Sequence, residues 1–66
     1  MLSENDTMLQ LAGHGLRITQ ARRTIVQILI QENGYLEPRL VADRARRRGQ
    51  RVGLVTVYRT LELLEH

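Results

Sequence analysis

The stretch Gly53-Leu54-Val55-Thr56-Val57-Tyr58-Arg59-Thr60-Leu61-Glu62-Leu63-Leu64-Glu65 decides how the rest of the chain is read. Leu54, Val57, Leu61 and Leu64 recur at helical spacing and stack on one side at about 3.6 residues per turn. The pattern predicts a helix over 54–65 with that side buried. Val55, Thr56, Arg59 and Glu62 then face away, and Tyr58 sits on the shoulder. Gly53 suits the N-cap, which leaves the first N–H groups of the helix free to meet an anion. The outward residues carry chemistry suited to a duplex. Arg59 can donate two hydrogen bonds to one guanine, Tyr58 and Val55 can touch thymine methyls, and Thr56 can reach a phosphate. On its own, an amphipathic helix with Thr, Tyr and Arg on its outer side is also an ordinary solvated surface. The remainder of the chain weighs between the two.

A chain of 66 residues is one small domain, and it buries only about 60% of its unfolded surface. It has no cysteine, so neither a disulfide nor a thiolate metal site braces it. No apolar run approaches the roughly 20 residues that cross a bilayer. The opening Met1-Leu2-Ser3-Glu4-Asn5-Asp6 is polar and acidic, unlike a secretory signal, so a cytoplasmic protein that makes no membrane contact is expected. All 10 basic residues are arginine, between Arg17 and Arg59, giving a net charge of +3 and an isoelectric point of about 10.6. A basic middle made wholly of arginine suits a polyanion, because the guanidinium fork matches phosphate and stacks on bases.

Working back from the last helix, Gln50-Arg51-Val52 is an extended piece with room for one bridge or one short strand. Gly49 stops a helix expected over 38–48, which Pro38 opens. Val41, Ala42 and Ala45 face inward on it, while Arg44, Arg46, Arg47 and Arg48 line the outer side with Asp43 as countercharge. That arginine run suits the helix dipole and offers an approach surface for DNA. Asn33-Gly34 is a turn. Thr19 caps a helix over 20–32, the central and most buried one, with Ala21, Ile25, Ile28, Leu29 and Glu32 in register and Val26 and Ile30 widening the stripe. Arg22 and Arg23 stand at its positive end, an unfavourable place for cations unless an anion compensates; a docked phosphate would. Leu16-Arg17-Ile18 is an extended link, and Gly13-His14-Gly15 stops a first helix over 7–12. Asn5 or Asp6 caps that helix, Met8, Leu9 and Leu11 are its apolar side, and residues 1–6 read as a flexible lead-in. Residues 7–66 are thus a domain of about four helices, all-α or nearly so, in which the last two form a helix-turn-helix pair.

Two motifs in this frame resemble a known family. Gly15-Leu16-Arg17-Ile18-Thr19, followed by Arg22 and Ile25, is similar to the G-L-[KR]-x-T-x-x-R-x-x-I opening of the ferric uptake regulator family. Gly53-Leu54-Val55-Thr56-Val57-Tyr58-Arg59-Thr60-Leu61 resembles that family's recognition helix, with its T-V-Y-R segment. The distance between them fits, and the resemblance covers nearly the whole chain from Met8 onward. It implies a winged-helix DNA-binding domain of a dimeric, metal-responsive repressor. By the same resemblance, Arg17 enters an A·T-rich minor groove, Tyr58 and Arg59 read bases, and Thr56 and Arg22 stand at positions expected at phosphates; Thr19 and Val55 complete the set of DNA-contact candidates. The partner is double-stranded DNA with an A·T-rich inverted repeat, and the metal of the full-length homodimer is divalent iron or zinc. A narrow minor groove concentrates negative potential, which favours a cation on an extended arm.

The chain also departs from the family. The histidine expected at the start of the third helix is Tyr35, and the usual Ser or Asp cap there is Glu37. No wing hairpin and no histidine-rich dimerisation segment follow before His66, so no metal ligand is assigned in this chain, and it reads as truncated before the wing. Leu63 falls on the outward half of the last helix, which suggests a missing wing or a partner. Two functions follow: DNA reading, or a protein-contact module (or DNA-binding-defective paralogue) acting through apolar residues such as Leu63. No constellation of nucleophile and base supports an enzyme.

Overall fold

The computed structural model describes residues 3–32 and 36–64. Four helices run in order: α1 (Glu4–Gly13), α2 (Gln20–Gln31), α3 (Pro38–Arg47) and α4 (Leu54–Leu64). The described residues contain no strand, and residues 50–52, where a bridge or strand had room, are irregular. The domain is all-α, the helical part of a winged helix.

The helix boundaries follow from local chemistry. Helix α1 begins earlier than its apolar pattern predicts. Ser3, not Asn5 or Asp6, is the N-cap, and its hydroxyl accepts from the Asp6 N–H at 3.1 Å. Glu4 and Asp6 then lie in the first turn, where carboxylates suit the dipole. Residues 4–6, read from sequence as part of a flexible lead-in, therefore stand in the first turn of a helix. Two helices end on the same device. Gly15 and Gly49 take φ of +83° and +81°, and each follows a C-cap residue, His14 or Arg48. Leu16 N–H reaches back to the Leu11 carbonyl and Gln50 N–H to that of Ala45. This is the Schellman arrangement, and it needs a left-handed residue at just these positions. The Asn33-Gly34 turn and Tyr35 lie outside the described residues.

Helix α2 is the central element, with Thr24, Ile25, Val26, Ile28 and Leu29 all buried. On one side of it Ile25 and Leu29 pack with Val41 of α3 and with Val57 and Leu61 of α4. Elsewhere Val26 packs with Met8 and Leu11 of α1. Each fully buried aliphatic side chain contributes roughly 1.5–3 kcal/mol relative to exposure. Two clusters sharing one helix are what tie four short helices into a domain.

The inner face of α4 differs from its expected register at both ends. Val57, Thr60 and Leu61 are buried, but Leu54 is 41% exposed. Leu54 opens the helix, at the edge of the buried seam that begins with Val57. Thr60 is fully buried because it falls between Val57 and Leu61 on the inner side; its hydroxyl satisfies itself on the Thr56 carbonyl at 2.7 Å. Leu63, expected outward and uncovered, is half-buried against the Met8, Leu11 and Val26 cluster. Helix α1 covers it. Sequence periodicity within α4 could not foresee this, because the cover comes from the far end of the chain.

Candidate nucleic-acid interface

With Val57, Thr60 and Leu61 held against α2 and α3, the opposite face of α4 projects outward by helical geometry alone. Val55 is 73% exposed and Tyr58 55% exposed. Arg59 and Glu62 are exposed too, and Thr56 is half-buried. Thr56 has its carbonyl engaged by Thr60. The Gly53 carbonyl accepts from the Val57 N–H at 3.1 Å, closing the first turn of the helix. The structure therefore brings Val55, Thr56, Tyr58 and Arg59 onto one side of one rigid element, braced by a buried seam. An aromatic ring, a branched aliphatic group and a guanidinium on a helix face are suited to base edges in a major groove.

The second part of the site is the segment between α1 and α2. Leu16 is half-buried and packs beside the Met8, Leu11 and Val26 cluster, while Arg17 and Ile18 are exposed. Leu16 thus anchors an arm from which Arg17 extends. Thr19 caps α2, its hydroxyl accepting from the Arg22 N–H at 3.1 Å. A cap of this kind contributes about 1 kcal/mol. Thr19 keeps its hydroxyl hydrogen for another acceptor, since the cap uses only the oxygen.

The two arginines at the start of α2 behave differently from their expected role as cations awaiting a phosphate. Arg23 pairs with Glu4 of α1 at 2.9 Å, so the compensating anion for Arg23 comes from the chain itself. Arg22 turns back: its Nη1 donates to the Arg17 carbonyl at 2.9 Å. Its Nε is buried without a partner. The Arg22 fork therefore lies against the protein, over the arm, rather than reaching freely outward.

The arginine run of α3 is also engaged. Arg44 pairs with Glu32 at 2.6 Å, and Arg46 and Arg47 share Asp43, each at 3.3 Å. Arg48 donates to the Gln31 side chain. These groups are largely solvated, so each pair contributes only a few tenths of a kcal/mol up to about 1. The two carboxylates offset half of the four positive charges, and Gln31 is neutral. Among the described residues, Arg17, Arg39, Arg51 and Arg59 make no ion pair and no side-chain hydrogen bond. Sequence reading missed Arg39 and Arg51 as candidates for phosphate contact. Arg39 stands in the first turn of α3 and Arg51 lies between α3 and α4, both exposed; the absence of an acid within one helical turn of Arg51 was the available signal.

Among the described residues, no group of three or more His, Cys, Asp or Glu stands together in a way that would hold a metal ion. No helix among them is long and apolar enough to cross a membrane.

Comparison with known proteins places the chain in a family. The model of the ferric uptake regulator family matches residues 13–66. The chain is 36% identical over 52 residues to the zinc uptake regulation protein of Mycobacterium tuberculosis strain CDC 1551 / Oshkosh, covering 79% of this chain and 40% of that protein. The match to the protein of the same description in strain H37Rv is the same, 36% over 52 residues. The chain spans about 40% of the length of these curated relatives. No solved structure matches it. The matched span includes the arm, α2 and the helix pair α3–α4, and on that ground the chain belongs to the ferric uptake regulator family.

Proposed function

We propose that this chain is the DNA-reading part of a metal-responsive transcriptional repressor acting in the cytoplasm. Helix α4 lies in the major groove. Arg59 reads a guanine, Tyr58 and Val55 meet thymine methyls, and Thr56 reaches a phosphate. Arg17 enters the neighbouring minor groove, where an A·T-rich sequence narrows the groove and deepens its potential. Arg39 and Arg51 add phosphate contacts that carry no sequence information. The observation that carries this reading is the outer face of α4: Val55 and Tyr58 are exposed beside Arg59, on a helix whose other side buries Val57, Thr60 and Leu61.

Family membership supports regulation rather than enzymatic chemistry. The relatives are described as zinc uptake regulation proteins, which favours zinc over iron as the divalent ion sensed by the whole protein. The metal site would then be built from residues other than those described here. The complete protein would act as a homodimer on an inverted repeat, since two half-sites one turn apart need two linked copies.

The test is a competition titration of the chain on a labelled A·T-rich inverted repeat at fixed salt. Unlabelled repeat should displace it at lower concentration than random duplex. Equal displacement by both would defeat the proposal.

A further inference from the structure

We propose that Arg22 is a positioning residue that holds the Arg17 arm in place, not a phosphate ligand. The consequence for DNA rests on the function proposed above; the internal clamp does not. Three contacts close the segment on itself. The Arg22 guanidinium donates to the Arg17 carbonyl at 2.9 Å. The Arg22 backbone N–H donates to the Thr19 hydroxyl at 3.1 Å. The Arg23 N–H donates to the Thr19 carbonyl at 3.0 Å. One residue thus grips the arm at its middle and at its end.

The arm needs such a grip. Leu16 anchors its beginning in the Met8, Leu11 and Val26 cluster, but Arg17 and Ile18 are exposed, and no backbone hydrogen bond to the N–H of Arg17 or Ile18 is made among the described residues. Without the guanidinium, the Arg17 carbonyl faces water and the two residues between Leu16 and Thr19 are free to turn. The Arg17 side chain would then enter a groove only after ordering, which weakens binding. The buried Nε of Arg22 bears on the same point. A guanidinium folded onto its own chain with one nitrogen buried cannot present its full fork to a phosphate. Guanidinium is suited to this place because it reaches one bond further than a lysine ammonium and holds a fixed plane.

The experiment compares the chain with Arg17→Ala, Arg22→Met and the double variant. Each is titrated against an A·T-rich inverted repeat and against the same repeat with G·C pairs in the flanking minor-groove segment. Arg17→Ala should cut the A·T preference by about fivefold or more. Arg22→Met should lose most of the same preference, and the double variant should lose no more than Arg17→Ala alone. Nitrogen-15 relaxation without DNA should show residues 16–18 ordered in the parent chain, near about 0.85, and falling below about 0.6 in Arg22→Met.

Additive losses, with a salt slope reduced by about one for Arg22→Met, would identify a phosphate contact and overturn the proposal. Unchanged order at residues 16–18 would overturn it equally. If Arg22→Met does not fold, Arg22→Lys takes its place: the ammonium keeps the charge but falls short of the carbonyl, so the clamp predicts the same loss and a phosphate contact predicts none. If the parent chain shows no sequence preference, the proposed function fails by itself, and the relaxation result alone decides the clamp.

Discussion

Two arginine-bearing surfaces lie on neighbouring helices, and they are opposites. The C-terminal half of α3 and its C-cap carry Arg44, Arg46, Arg47 and Arg48, the densest cationic run in the chain. Glu32, Asp43 and Gln31 occupy all four. The outer face of α4 carries a single cation, Arg59, which has no such partner among the described residues, beside exposed Val55 and Tyr58. Counting charge would place the functional surface on α3; counting guanidiniums without a partner among the described residues leaves Arg17 on the arm, Arg39 near the start of α3, Arg51 and Arg59, and under the function proposed above Arg17 and Arg59 are the readers. The α3 run is better understood as a solvated tie to the end of α2 that also suits its own helix dipole.

The largest effect should come from removing what both surfaces stand on. Ile25 is fully buried between α3 and α4 in the cluster with Val41, Val57 and Leu61. Ile25→Ala should lower stability by about 2–5 kcal/mol, a large share of what a domain this small possesses. Thermal unfolding followed by circular dichroism checks it. Binding to specific and to random DNA should disappear together, because the two surfaces share one base.

Next in size, Arg59→Ala should separate the surfaces. It should lose about 1–3 kcal/mol of affinity for the preferred repeat and relax preference at one base pair. Replacing Arg46 and Arg47 with glutamine should leave sequence preference in place. A selection of bound sequences from a random pool reads both outcomes.

Helix order, the helix-turn-helix pair and the outward set on α4 were legible from the spacing of apolar residues. So were the caps at Thr19 and the two glycine stops, since each depends on residues within one turn of the helix end. What was not legible lay between distant parts of the chain. Leu63 looked uncovered because its cover is α1. Arg23 looked like a cation awaiting a phosphate because Glu4 is 19 residues away. Arg44 and Arg48 looked available because Glu32 and Gln31 lie at the end of α2, whereas Asp43, the partner of Arg46 and Arg47, was visible within α3. Leu54 failed for the converse reason: the period put it inside, but it is 41% exposed at the start of α4. Periodicity reports which face a residue is on; it does not report whether a neighbour arrives to cover that face.

The smallest effect sharpens the same contrast. Asp43→Asn releases Arg46 and Arg47 from their shared carboxylate, and affinity for random DNA should rise roughly twofold to fivefold with a steeper salt dependence. Preference for the repeat over random duplex should fall accordingly. Titrations at several salt concentrations give the slope.

The most direct measurement is amide chemical-shift mapping of the chain on addition of the A·T-rich repeat. The account predicts that the largest changes fall on Arg17, Val55, Thr56, Tyr58 and Arg59, with residues 44–48 nearly unmoved. Changes concentrated on residues 44–48, with α4 and the arm silent, would contradict it.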